Sequence, residues 1–248
     1  MRRVKLTVAY DGTNYCGWQI QPNGETIQGM LNRHLSELLC EEIHTIGASR
    51  TDSGVHARGN VAVFETSARM PIEKISYAMN ARLPEDIRIW ESKEVPAEFH
   101  PRFTKTIKTY EYRILNKTFA DPTCRLNSLF CYNKLDVELM KKAAGYLVGE
   151  HDFKSFATEN PQITTTVRTI YDIHLDKVGD MITLYITGNG FLYNMVRIIV
   201  GTLLEVGKGC YPPEHITEIL DARDRSAAGP TARAHGLTLA QIRYPEWE

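Results

Sequence analysis

The chain has 248 residues, 43% hydrophobic and 24% charged, with 29 Lys and Arg against 30 Asp and Glu, a formal net charge of −1. That balance excludes a protein held on nucleic acid by its overall field, so an RNA or DNA partner needs local basic patches. The length suits one large domain or two small ones with a real core, and the composition is that of a soluble globular protein.

From the amino terminus, Val4, Leu6, Val8 and Tyr10 alternate, which predicts a strand. A turn-rich loop, DGTNYCGWQIQPNGE, follows. Thr26 is placed to cap a helix whose apolar face is Ile27, Met30, Leu31, Leu35, Leu38 and Leu39. IHTIGAS reads as a short strand, NVAVFET as a second, and Pro71 opens a helix through IEKISYAMNARL. IRIWESKEV closes the unit as a strand, giving β-α-β-β-α-β, the split-βαβ or ferredoxin-like order.

The second half repeats the plan. KTYEYRIL reads as a strand, and LDVELMKKAAGYLVG as a helix ended by Gly149. TVRTIYDIHLDK and MITLYITG form a hairpin turning at Val178, Gly179 and Asp180. FLYNMVRIIVGTLLEVG is a nearly all-apolar, hence buried, helix, too short for a membrane span and interrupted by Arg197. PPEHITEILDAR is a further helix and LTLAQIRY a last strand. The expected fold class is α+β: two ferredoxin-like halves joined into a mostly antiparallel mixed sheet flanked by helices, with a cleft between them. The expected boundary divides residues 1–103 from 104–248, and no residue-level identity links the two halves.

Candidate chemistry begins in GASRTDSGVHARGN, residues 47–60, where Asp52 stands between Arg50 and Arg58 among Gly47, Gly54 and Gly59, with His56 close by. A carboxylate with an unperturbed pKa of about 3.9 is ionised at neutral pH and can act as nucleophile, base, ligand or turn cap. A turn explains Asp-Ser-Gly by itself. The flanking arginines favour more, and the missing ligand spacing argues against a metal site. A serine nucleophile at Ser53 lacks the strand–turn–helix context. In TKTIKTYEYRI, Tyr110 and Tyr112 share a strand face beside Lys105 and Lys108, which suits base stacking with phosphates held nearby, or ordinary packing equally well. Arg197 in an apolar helix needs a partner or a path to water, and a bidentate clamp on a carboxylate would serve. The preceding Gly-Asn-Gly, residues 188–190, is either a tight turn or a phosphate cradle at the helix start.

Basic runs lie at Arg2, Arg3 and Lys5, at Arg102, Lys105, Lys108 and Arg113, and at Arg223, Arg225, Arg233 and Arg243. Singly, each is best read as a solvated face. Cys16, Cys40, Cys124, Cys131 and Cys210 are scattered, with no CxxC pair for zinc or redox chemistry. Without a signal peptide, a reduced cytosolic setting is expected.

SRTDSGVHA resembles the signature loop of the TruA family of tRNA pseudouridine synthases, usually GRTDAGVHA. YDGTNYCGWQIQP, TIQGML, FHPRF, KTYEYRI, HDFKSF, GFLYNMVRIIVGTLLEVG and TARAHGLTL are similar to further family blocks in the same order, over nearly the whole chain. The resemblance implies Asp52 as catalytic nucleophile, Tyr110 in the uracil pocket, Arg197 beside the catalytic carboxylate and Arg50 helping to displace the target nucleotide. It also implies a cytoplasmic homodimer acting on uridines 38, 39 and 40 of the tRNA anticodon arm, with no cofactor, no metal and no membrane. Ser49 and Ser53 depart from the usual Gly and Ala, and roles for His56, Arg58 and Arg102 do not follow. Attack on the ribose and attack on the uracil ring are equally compatible with the residues. A sister synthase acting at another RNA position and a non-catalytic RNA-binding module are the rival readings.

Overall fold

The computed structural model describes residues 1–161 and 163–247. Its strands are β1 (Arg2–Tyr10), β2 (Ile46–Gly47), β3 (His56–Thr66), β4 (Ile87–Val95), β5 (Ile107–Asn116), β6 (Leu129–Cys131), β7 (Gly149–Asp152), β8 (Val167–Val178), β9 (Met181–Gly188) and β10 (Leu237–Arg243). The α-helices are α1 (Ile27–Leu39), α2 (Ile72–Asn80), α3 (Val137–Gly145), α4 (Met195–Gly207) and α5 (His215–Ala222). The class is α+β: β3 pairs antiparallel with β1 and β2, β1 with β4, β5 with β9, and β8 with β7 and β9, while β10 runs parallel to β3 and β6 parallel to β5. The chain forms two compact units, Met1–Thr106 with Thr238–Glu248, and Ile107–Leu237.

In the first unit the strands run β4-β1-β3, with β2 and β10 on the remaining edge of β3. The β2 pairing falls at Val63 and Ala62, and the parallel β10 pairing at His56 and Ala57. The order β4-β1-β3-β2 is that of a split βαβ. Val4, Leu6, Val8 and Tyr10 are buried on alternate positions, which is why β1 is legible as a strand. Thr26 caps α1 by accepting from the Gly29 amide at 3.2 Å. Ile27, Leu31 and Leu35 are fully buried and fix the inward face of the helix.

In the second unit the order is β5-β9-β8-β7, with β6 on β5. The β8–β9 hairpin turns at Gly179 and Asp180, Gly179 at φ +59°. Three local expectations need correction. The α3 helix ends at Gly145, not Gly149, which instead opens β7 at φ +109°. Asp136 fixes the other end by accepting from the amides of Glu138 and Leu139. The helix expected from Phe191 begins only at Met195, because Asn194 has left-handed backbone, φ +61°. The Gly-Asn-Gly segment is therefore no helix start: the Asn189 carboxamide oxygen accepts from Thr169 N–H at 3.0 Å, closing the end of β9 on β8.

The longest helices have 13 residues, and among the described residues no helix is long and apolar enough to cross a membrane. The five cysteines form no disulfide.

Candidate active site

The Asp52 loop hangs from the amino-terminal end of β3, and its support is main-chain and buried. Asn60 is wholly inaccessible. Its amide nitrogen donates to Ser49 O at 3.0 Å and to the Tyr10 hydroxyl at 3.2 Å, and its oxygen accepts from the amides of Val61 (2.9 Å) and Ser49 (3.3 Å). Every hydrogen-bonding position of the carboxamide is thus filled. The Tyr10 hydroxyl lies 2.7 Å from Thr51 Oγ1, so one network fixes the residues on the amino-terminal side of Asp52. Trp18 N–H donates to Thr51 O at 3.0 Å, and Val55 N–H closes a turn on Asp52 O at 3.1 Å. Gly54 holds that turn at φ +74°. Gly17, at φ +82°, passes so close that a Cβ there would meet Thr51 O at 2.7 Å. Ser53 donates its hydroxyl to Tyr15 O at 3.2 Å, a further tether on the loop.

On the carboxyl side, His56 is buried with Nδ1 3.1 Å from both Gly12 N and Asp11 Oδ1. Burial pushes the Asp11 carboxyl up, but the Thr13 hydroxyl and amide, with His56, outweigh it and hold the carboxyl below its ordinary value. Asp52 is half-buried, and Arg50 and Arg58 are exposed. Arg58 lies on β3.

Tyr110 and Arg197 belong to the second unit. Tyr110 is buried on β5, and the Phe191 ring stands edge-on to it at 5.2 Å and 86°. Tyr112 is a core residue: wholly buried, it donates to Arg233 O at 2.7 Å. Burial pushes its phenol well above the usual range, against the pull of the Arg197 and Arg233 charges. Arg197 sits in the first turn of α4. Its Nε donates to Ala232 O at 2.7 Å and its Nη1 to Asn194 Oδ1 at 2.8 Å. The Asn194 amide nitrogen in turn donates to Thr158 Oγ1 at 3.1 Å. Two of the three guanidinium nitrogens are thereby oriented within the second unit, which answers the requirement for partners in an apolar helix.

Asn60, Gly17 and Asn194 are the supporting residues that sequence reasoning missed. Asn60 begins an apolar run, and Asn194 immediately precedes one; a lone carboxamide at such a boundary is the signal that could have found both. Among the described residues no group of three or more His, Cys, Asp or Glu side chains is arranged to hold a metal ion.

A family model described as tRNA pseudouridine synthase matches residues 6–104 and 143–245. The chain belongs to the TruA family of tRNA pseudouridine synthases. Among its relatives, the tRNA pseudouridine synthase A of Ruminiclostridium cellulolyticum is 49% identical over 245 residues, covering 98% of this chain and 100% of the relative. The protein of the same description from Thermoanaerobacter sp. (strain X514) is 47% identical over 244 residues, with the same coverages. The tRNA pseudouridine synthase A 2 of Clostridium perfringens is also 47% identical, over 245 residues. TruA synthases form an isomerase family, and the matched residues include the Asp52 loop and all of α4, while β5, which carries Tyr110, lies between the two matched stretches.

Proposed function

We propose that the protein isomerises uridine to pseudouridine in tRNA, at positions 38, 39 and 40 of the anticodon arm, with Asp52 as the nucleophile. The family membership carries the reading. The reaction breaks the bond between ribose C1′ and uracil N1, turns the base and rejoins it through C5. The C5 hydrogen leaves to solvent and N1 gains one, so the net composition is unchanged. Such chemistry needs a carboxylate to form the covalent bond, a ring to hold the detached uracil and a cation to position the acid. Asp52, Tyr110 and Arg197 are assigned those roles. A carboxylate that must form a bond at one angle benefits from a fixed main chain, and the Asn60 network supplies that support. An arginine that orients a carboxylate works through its fork, and the tethers from Asn194 and Ala232 preset the fork. A uridine inside a stem is unreachable until it leaves the stack, at a few kcal/mol, and Arg50 is assigned to filling the space left behind. The working form is a cytoplasmic homodimer in this reading.

The test is pseudouridine mapping on unmodified tRNA with wild type and Asp52→Ala side by side. Wild type is expected to modify positions 38–40, and Asp52→Ala to release no tritium from C5-labelled uracil while binding tRNA within a few-fold. Turnover by Asp52→Ala removes the nucleophile assignment; modification elsewhere in tRNA removes the positional one.

A further inference from the structure

The cations of the first unit fall into two kinds. Arg2 donates to the carbonyls of Ala68 and Met70, Arg3 pairs with Glu65 at 3.2 Å, and Lys5 pairs with Glu91 at 3.7 Å. These three are engaged within the unit. Arg50 and Arg102 are exposed, and among the described residues neither guanidinium has a hydrogen bond or a carboxylate partner. Burial and then the Arg102 charge lower the pKa of Arg50.

Arg102 is presented by a rigid turn. Thr104 N–H donates to His100 O at 3.0 Å, and His100 N–H to Thr104 Oγ1 at 3.2 Å. The amides of Arg102 and Phe103 both donate to His100 Nδ1, at 3.2 and 3.3 Å, which places the ring hydrogen on Nε2 and keeps His100 neutral. Behind the turn, the buried Phe99 packs on Tyr244 at 4.8 Å, and the Tyr244 hydroxyl donates to Pro101 O at 2.9 Å. Phe103 is on the surface. It is 81% exposed, yet its ring is ordered by stacking on His100 at 4.2 Å and 23°. An exposed aromatic held flat beside an uncompensated guanidinium matches the needs of a nucleic-acid strand, which offers a phosphate and a base face together.

We propose that residues 100–104 form a strand-contact subsite, in which Arg102 takes one RNA phosphate and the Phe103 ring stacks on an adjacent base. The proposal rests on the reading that tRNA is the substrate. It gives FHPRF, which has no part in the chemistry above, a role in holding the strand next to the reacting uridine. Arginine suits the phosphate because its planar fork takes two oxygens at once.

The experiment measures binding of unmodified tRNA transcripts across a salt series, in an Asp52→Ala background so that no turnover intervenes. Arg102→Ala is expected to weaken binding about tenfold and to lower the log–log salt slope by about one. Phe103→Ala is expected to weaken it about tenfold with the slope unchanged, with Phe103→Trp restoring affinity and Phe103→Leu failing to. Both side chains are exposed, so melting curves should match the parent; if an alanine variant unfolds, Arg102→Gln and Phe103→Leu carry the same readouts. Affinities within twofold of the parent at an unchanged slope overturn the subsite. Equal rescue by Leu and Trp overturns the stacking role and indicates an apolar protein contact instead. If the wild type neither binds nor modifies tRNA, the functional reading has failed. If it does both and Arg102 and Phe103 prove neutral, only the subsite has.

Discussion

The two candidate charged groups are held in opposite ways. In the first unit, the Asp52 loop is fixed through its main chain: Asn60 grips Ser49, Trp18 grips Thr51, and the turn closes on Val55. In the second, Arg197 is fixed through its own side chain, by Asn194 and the Ala232 carbonyl. The difference suits the roles proposed for them. A nucleophile must come and go from a covalent bond, so its support is best placed one step back, in the backbone. A counter-charge does its work by direction, so its support belongs on the guanidinium itself.

The largest test of this contrast is Asn60→Ala. It removes the four carboxamide contacts to Ser49, Tyr10 and Val61 from a dry site, a loss of about 3 kcal/mol. Urea unfolding should show that loss, with pseudouridine formation falling alongside. A loss below about 1 kcal/mol would mean the loop is held elsewhere. Asn194→Gly sharpens the other half. Glycine keeps the left-handed backbone at φ +61° and removes only the amide, so single-turnover isomerisation should fall about tenfold while the melting point stays near wild type. An unchanged rate would show that the Asn194 contact does not set the fork.

Asp11→Asn has the smallest expected effect. The folded pKa of Asp11 is depressed, so its contribution is present above the unfolded value of about 3.8 and is lost as pH falls through the lower folded value. Wild type should therefore lose stability relative to Asp11→Asn on going from pH 5 towards pH 3, read by denaturant unfolding at each pH. Parallel curves would strip the contacts to Thr13 and His56 of any weight.

Much of the first unit was legible because its signals are local. Thr26 precedes an apolar helical face, Val4 to Tyr10 alternate, and Asp52-Ser53-Gly54 spells a turn. Asn60 was illegible as a clamp because its partners, Tyr10 and Ser49, come from different segments and meet only after β1 pairs with β3. In the second unit, the apolar run from Phe191 to Gly207 reads as one helix, yet its first turn is replaced by the left-handed Asn194. Helical periodicity also could not end α3 at Gly145, since Tyr146 and Leu147 continue the pattern and only the strand at Gly149 stops it. The two tyrosines of β5 look equivalent in sequence; the Arg233 carbonyl makes Tyr112 a core residue.

The parallel strand at the head of β3 has a consequence for biosynthesis. Thr238 and Leu239 flank His56 and Ala57, immediately after the Asp52 turn, yet the ribosome makes them only after the entire second unit. A nascent chain can therefore assemble most of its first sheet early and still lack the edge that borders the Asp52 loop, so that loop gains its last support late in translation, and a prematurely terminated product is left with an open seam beside its own aspartate.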